Sequence, residues 1–231
     1  MQTDIAGFVF DLDGVLVDTA KYHYLAWRRL AQELGLDLSV QTNERLKGVS
    51  RLKSLEIILA SAGCTASDVE MQAMATRKNG WYQEYILRMK PSEVLGNVKP
   101  FVRRARALGL RTAIGSASKN TPTILERTGL ATLFDTVVDG NDTAAAKPDP
   151  EVFLKAAQGL SLAPGQCVVF EDSASGVEAA RRAGMRVVGI GRPQALADAD
   201  IVVRGFWGLT PTGVVRQLDP EPARRAHSSI H

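Results

Sequence analysis

Five short runs rich in β-branched and aromatic residues, IAGFVF, RTAIGS, DTVVD, QCVVFED and MRVVGIG, are separated by helix-length segments of Ala, Leu, Arg and Glu. This alternation restricts the fold more than any other feature, because strands that alternate with helices make a parallel sheet wrapped by those helices. The alternation stops between Asp18 and about Glu93. There the sequence reads as consecutive amphipathic helices, YHYLAWRRLAQELG, SRLKSLEIILASAG and SDVEMQAMATRKNGWYQEYILRM. The expected fold class is therefore α/β, with a parallel-sheet core over residues 1–17 and 94–231 and an inserted α-helical cap domain over residues 18–93. Pro91 and Gly96 break the helical pattern, so both connections leave the core close together and form a hinge. The last stretch, LDPEPARRAHSSIH, has little apolar content and reads as a frayed tail.

Composition excludes several functional classes. With 28 basic and 25 acidic side chains the formal charge is only +3, too balanced for a nucleic-acid-binding stripe. The pairs Arg28-Arg29, Arg103-Arg104 and Arg181-Arg182 fall within helical patterns and read as solvated faces. Cys64 and Cys167 are the two cysteines, far apart in sequence, which argues against a disulfide framework or a zinc site and suits a reducing compartment. No signal peptide is evident, and no apolar run reaches the roughly 18 residues of a membrane span. The expectation is a cytoplasmic monomer with neither nucleic-acid nor membrane partners.

In an open parallel sheet, ligands collect beyond the carboxyl ends of the strands. Asp11 ends the strand FVF and Asp13 follows two residues later, so in an extended chain both side chains project to the same side. Glu171 and Asp172 end CVVFED, Ser116 ends RTAIGS, and Lys147 stands before Pro148 in AAAKPDP. Each alone could be a helix cap or a solvated loop charge; Ser116 in SASKN could simply cap the next helix. Their joint occurrence at strand ends points to one site. Asp18 reads as a helix cap beside the hinge.

The order DLDGV, SAS, KPDP, EDS resembles the haloacid dehalogenase superfamily of aspartyl-phosphate phosphotransferases, over essentially the whole core. With the insert included, FDLDGVLVDTAKYHYLAW, LKGVSRLKSLEIIL, RKN and SASKN are similar to the β-phosphoglucomutase family within it. The resemblance implies a Rossmann-like core and interconversion of β-glucose 1-phosphate and glucose 6-phosphate through β-glucose 1,6-bisphosphate. The alternative is a sugar-phosphate phosphatase on the same scaffold. A carboxylate attacking a phosphate dianion needs a metal and a cation to offset repulsion. Mg²⁺ is the expected cofactor, and its taste for oxygen ligands suits Asp11 and Asp172. The resemblance adds the Asp13 backbone carbonyl, and Glu171 directly or through water. Asp11 is the expected nucleophile, Asp13 the acid/base, and Lys147 the cation on the phosphate. Ser116, Ala117 and Asn120, flanked by Ser118 and Lys119, are expected to contact phosphate and sugar, since a phosphate at a helix amino terminus uses free backbone donors.

A mutase must also hold a bisphosphate whose second phosphate waits at a distance. In LKGVSR, Lys47 and Arg51 flank a Gly48 turn, and Ser50 or Arg51 opens the next helix, where free N–H groups favour an anion. With the resemblance, Arg51 is expected to bind the distal phosphate, while Lys47, Gly48, Val49 and Ser54 shape the sugar pocket. His23, Trp27, Lys78 and Asn79 read most simply as packing or surface residues of cap helices. The resemblance implies instead that they face the substrate, that His23 and Lys78 help place Asp13 on closure, and that Thr19 holds it away when the cap is open.

Overall fold

The computed structural model of the protein describes residues 4–44, 46 and 50–219. Among these, six strands form one sheet: β1 (Gly7–Phe10), β2 (Arg111–Gly115), β3 (Thr136–Val138), β4 (Cys167–Glu171), β5 (Arg186–Ile190) and β6 (Ile201–Val203). All neighbours pair in parallel, in the order β3-β2-β1-β4-β5-β6. The five expected runs become β1 to β5. The three-residue β6 was not anticipated from the sequence, because IVV lies among Asp and Arg residues too closely spaced to stand out as a run.

The central strand shows why the sheet is buried on both sides. Phe8 and Phe10 point to one face and Val9 to the other, as the two-residue period demands. The helices α1 (Ala20–Glu33), α2 (Val40–Glu44), α3 (Arg51–Ser61) and α4 (Asp68–Ile86) fall between β1 and β2. They are followed by α5 (Val98–Ala107), α6 (Thr121–Thr128), α7 (Glu151–Gly159), α8 (Ala174–Arg182) and α9 (Pro211–Leu218). Residues of α5, α6 and α9 pack on the phenylalanine face, and α7 and α8 cover the valine face. On the first face Phe8, Phe10, Phe101, Phe170 and Phe206 form one aromatic cluster, with Phe10 stacked on Phe170 at 4.6 Å between centroids.

The expected inserted helices are α1, α3 and α4; the five-residue α2 is an addition. Ser67 and Glu70 form a reciprocal capping box at the start of α4. The connections into and out of this segment run side by side: Val17 bridges Val94, and the Leu95 amide donates to the Leu16 carbonyl at 2.9 Å. Glu93 fastens them further, accepting from the Tyr22 hydroxyl at 2.5 Å and pairing with Lys21 at 2.6 Å. The arginine pairs are exposed, as expected of solvated faces. Cys167 is buried in β4 and Cys64 is exposed, both as free thiols. Most of the expected frayed tail, from Pro220 on, lies outside the described residues.

The aromatic cluster sets the first prediction. Phe101→Ala should cost about 3–5 kcal/mol, as truncation of a fully enclosed phenylalanine does. Val69→Ala, at a side chain 80% exposed, should stay within roughly 0.5 kcal/mol. Urea denaturation of the two variants beside the parent protein checks the contrast.

Candidate active site

The strand order reverses at β1, which lies between β2 and β4. The crevice at the carboxyl ends of these strands is where the sequence's carboxylates arrive. Asp11 leaves β1 with its amide donating to the Phe170 carbonyl at 2.9 Å, which sets it beside Glu171 at the end of β4. Lys147 reaches between them, its Nζ 2.6 Å from Asp11 Oδ1 and 2.8 Å from Glu171 Oε2. The other Glu171 oxygen, Oε1, accepts from Ser173 Oγ at 2.6 Å and from the Ser173 and Asp172 amides. Both oxygens of Glu171 are thus engaged. Asp172 stands on the outer side of the group, and one oxygen each from Asp11, Glu171 and Asp172 lies within 4.8 Å of the others. Gly14 permits this closeness: its φ is +81°, and a Cβ there would meet Asp172 Oδ2 at 2.0 Å.

Burial raises the Asp11 pKa well above the usual carboxylate range, and Glu171, Asp13 and Asp172 push it further, while Lys147 pulls it back. Burial also lifts Asp172, with Glu171 and Asp13 adding to it, so that its pKa is pushed up to about 7. For Lys147 burial disfavours the charge, but the Asp11 and Glu171 carboxylates outweigh it and hold the ammonium protonated. One cation therefore faces several carboxylates. An all-oxygen set with surplus negative charge fits a hard divalent cation such as Mg²⁺.

Ser116 is fully buried at the end of β2, its amide donating to the Val138 carbonyl at 3.0 Å and its Oγ accepting from the Ser118 amide at 3.1 Å. It caps a turn rather than the helix, whose cap position belongs to Asn120. Ala117 and Lys119 are exposed, and Ser118 Oγ accepts from the Asn120 amide. The loop after β3 supports this turn at close quarters, for a Cβ on Gly140 would lie 2.4 Å from the Ala117 carbonyl.

The helical segment supplies the other half. Thr19 occupies the amino-terminal cap position of α1 but makes no capping bond; its hydroxyl donates instead to Asp13 Oδ1. Asp18 is therefore not the helix cap, contrary to expectation, because Thr19 takes that position. Burial raises the Asp13 pKa, and the Thr19 bond lowers it in part. Lys78 donates to His23 Nδ1 at 2.9 Å and lies over the rings of Trp27 and Tyr82 at 4.5 and 5.1 Å. Burial, with Lys78 and Arg51 nearby, drives the His23 pKa well below its usual value, so the imidazole is neutral and accepts. Burial and Arg51 bring Lys78 down to about 7, against the opposing pull of Asp13. Arg51 opens α3 after Ser50, whose hydroxyl accepts from the Lys53 amide. Ser54 is buried and Asn79 half-buried on their helices. Lys47, Gly48 and Val49 lie outside the described residues.

Two residues were missed by the sequence reading. Gln83 donates from α4 to Asn120 Oδ1 at 3.1 Å, tying the helical segment to the Ser116 turn. Tyr82 stacks on His23 with centroids 4.1 Å apart. Both were discoverable, since they stand four residues after Asn79 and Lys78 and so share their helix faces. A separate cleft at the amino ends of the strands carries Arg106, Arg111 and Asp135, but these are already engaged, Arg106 with Asp135 at 2.6 Å and Arg111 with the Leu160 carbonyl.

Residues 5–184 match the family model of haloacid dehalogenase-like hydrolases. The chain belongs to this family. Among its curated relatives, β-phosphoglucomutase of Bacillus subtilis is 39% identical over 204 residues, 87% of this chain and 90% of that one. Fructose-1-phosphate phosphatase of Escherichia coli is 34% identical, covering 82% of this chain and 98% of its own. The crystal structure of β-phosphoglucomutase from Clostridium difficile superposes with a TM-score of 0.85 at 35% identity, over 92% of this chain and 96% of that one. The Rossmann-like haloacid dehalogenase core expected from the sequence is thus present, and the chain is an enzyme of that superfamily. None of its described helices is long and apolar enough to cross a membrane.

Lys78 yields a pH prediction. Its pKa falls from 10.5 in the unfolded chain to about 7 in the fold, so between these values the unfolded state binds more protons and stability contributed by this group rises with pH. Lys78→Met removes the buried charge. It should be more thermostable than the parent at pH 6 to 7, with the advantage shrinking as pH approaches 10, as melting curves across that range would check.

Proposed function

We propose that the protein is a Mg²⁺-dependent β-phosphoglucomutase, interconverting β-glucose 1-phosphate and glucose 6-phosphate through an aspartyl-phosphate and β-glucose 1,6-bisphosphate. The observation that carries this reading over a phosphatase is the basic group on the helical segment. Arg51, Lys78 and neutral His23 lie near one another and share electrostatic contact, and Lys78 also senses Asp13. A second cationic site suits the far phosphate of a bisphosphate, whereas hydrolysis needs one phosphate site and a water. The helices over residues 18–93 would act as a cap that closes on the core about the paired connections.

In this reading Asp11 attacks the phosphoryl group, and the transfer is divided into two steps by the covalent intermediate. Lys147 counters the rise in the Asp11 pKa and offsets charge on a phosphoryl oxygen, while the Ser116 hydroxyl and the Ala117 amide hold the others. Asp11, Asp172, the Asp13 carbonyl and Glu171, directly or through water, would hold the metal, which when bound lowers the repulsion between carboxylate and phosphate. The engagement of both Glu171 oxygens favours the route through water. Asp13, its pKa already raised, gives a proton to the leaving hydroxyl and takes one from the attacking hydroxyl. Asn120, with Ser118 and Lys119 beside it, and Trp27, Ser54 and Asn79 bound the sugar, together with Lys47, Gly48 and Val49. Closure excludes the water that would discharge the aspartyl-phosphate.

The deciding assay supplies β-glucose 1-phosphate, Mg²⁺ and a trace of glucose 1,6-bisphosphate and follows products by phosphorus NMR. Glucose 6-phosphate is expected; free phosphate as the main product would make the protein a sugar-phosphate phosphatase, the activity borne by its Escherichia coli relative. Asp11→Asn should abolish turnover and phosphoenzyme together. Arg51→Ala should lower transfer from glucose 1,6-bisphosphate about ten- to a hundredfold, through loss of a charge-assisted contact. It should spare phosphorylation by acetyl phosphate, which has no distal group. Equal losses with both donors would remove Arg51 from the distal site.

A further inference from the structure

Asn120 holds the cap position of α6 but forms no cap. A residue there ordinarily gives its side-chain oxygen to the amide two or three residues on. Two residues on stands Pro122, which has no amide hydrogen, and the Asn120 side chain makes no capping bond. Its Oδ1 turns instead to α4, where it accepts from Gln83 Nε2 at 3.1 Å. The backbone is fixed separately. The Asn120 amide donates to Ser118 Oγ and the Ser118 amide to Ser116 Oγ, so the carboxamide leaves from a turn anchored at the end of β2.

A carboxamide has one accepting end and one donating end. With Gln83 on the oxygen, the NH₂ group is the end left over. Among the described residues nothing accepts from Asn120 Nδ2, and that atom is not sealed from solvent although the residue is 8% exposed. Gln83 is itself exposed, so it gives up rotamer freedom to hold an oxygen that the helix does not use. We propose that Gln83 is a positioning residue for Asn120: by occupying Oδ1 it sets the carboxamide with its NH₂ free as a donor beside the Ser116 turn. That point of the site then selects an accepting ligand oxygen, as on a phosphoryl group. Without Gln83 the carboxamide can turn over and offer Oδ1, which repels the same oxygen.

This inference rests on the contact between Asn120 and the ligand proposed above, and its test keeps the two apart. Gln83→Leu removes the bond and opens both orientations. KM for β-glucose 1-phosphate, with trace glucose 1,6-bisphosphate present, should rise about two- to tenfold, the worth of one hydrogen bond, with kcat within roughly twofold. The melting temperature should stay within about 2 °C of the parent's, as for other exposed positions. Gln83→Glu keeps the shape but its carboxylate can only accept, so it pairs with Asn120 Nδ2 and turns the oxygen to the ligand. Here KM should rise further, about ten- to a hundredfold. Added to Asn120→Ala, either change should alter KM by less than about twofold, whereas a bare effect of the new charge on an anionic ligand would survive in that background. A parent-like KM for Gln83→Leu, a Gln83→Glu no worse than Gln83→Leu, or effects undiminished beside Asn120→Ala would each overturn the proposal. So would a parent-like KM for Asn120→Ala, which would take Asn120 off the ligand. The constants are read for whichever transfer the parent performs, to sugar or to water. A parent that only released phosphate would therefore defeat the mutase reading and leave this test standing.

Discussion

The chemistry of this protein depends on one ammonium group held between two buried carboxylates. Lys147 meets Asp11 at 2.6 Å and Glu171 at 2.8 Å, in a place where Asp13 and Asp172 add further negative charge. Like charges this close, out of water, drive one another toward protonation. Lys147 works against that drive at Asp11, whose pKa burial still holds well above the usual carboxylate range. With it, the surplus of oxygen donors over cations still leaves room for a divalent metal. The same residues therefore account for both the expected Mg²⁺ and the proposed attack by Asp11. Glu171 contributes mainly by order, since its two oxygens fasten Lys147 on one side and the Ser173 turn on the other.

The helical segment has the opposite electrostatic character. Arg51 is a cation, the Lys78 pKa is brought down to about 7, and the half-buried His23 beside them has its pKa driven well below its usual value by its own desolvation and by their charge. An acidic sheet edge facing a basic helical segment suits a dianion bound between them, and charge at both ends of the ligand would draw the halves together. Gln83 of α4 bonds to Asn120, and Arg127 of α6 donates to the Leu87 carbonyl at 2.6 Å, while Val17 bridges Val94 at the paired connections. Relatives with mutase and phosphatase names share this scaffold.

Much of the arrangement was readable in the chain. Strand-length runs at regular spacing required a parallel sheet, and the two-residue period in FVF required that it be buried on both faces. Carboxylates at the ends of those runs had to meet, because parallel strands bring all their carboxyl ends to one edge. That is why Asp11, Ser116, Lys147, Glu171 and Asp172 could be gathered before any coordinate was known. The short strand β6 and the five-residue α2 were not legible, since three to five residues carry too little periodicity to be distinguished from a loop.

What the tertiary structure alone decided is how side chains are shared between neighbours. Thr19 stands where a helix cap is required, and local propensity would give its hydroxyl to the backbone; only the folding back of the chain offers it Asp13 instead. Gln83 and Tyr82 look like ordinary positions of an amphipathic helix until α4 is laid against α6 and α1, which turns one into a tie to Asn120 and stacks the other on His23. Sequence by itself determined the edge at which the charges gather, because strand direction and period are local properties. Their partners, and so their protonation and reach, were decided by contacts between residues far apart in the chain, which no local pattern encodes.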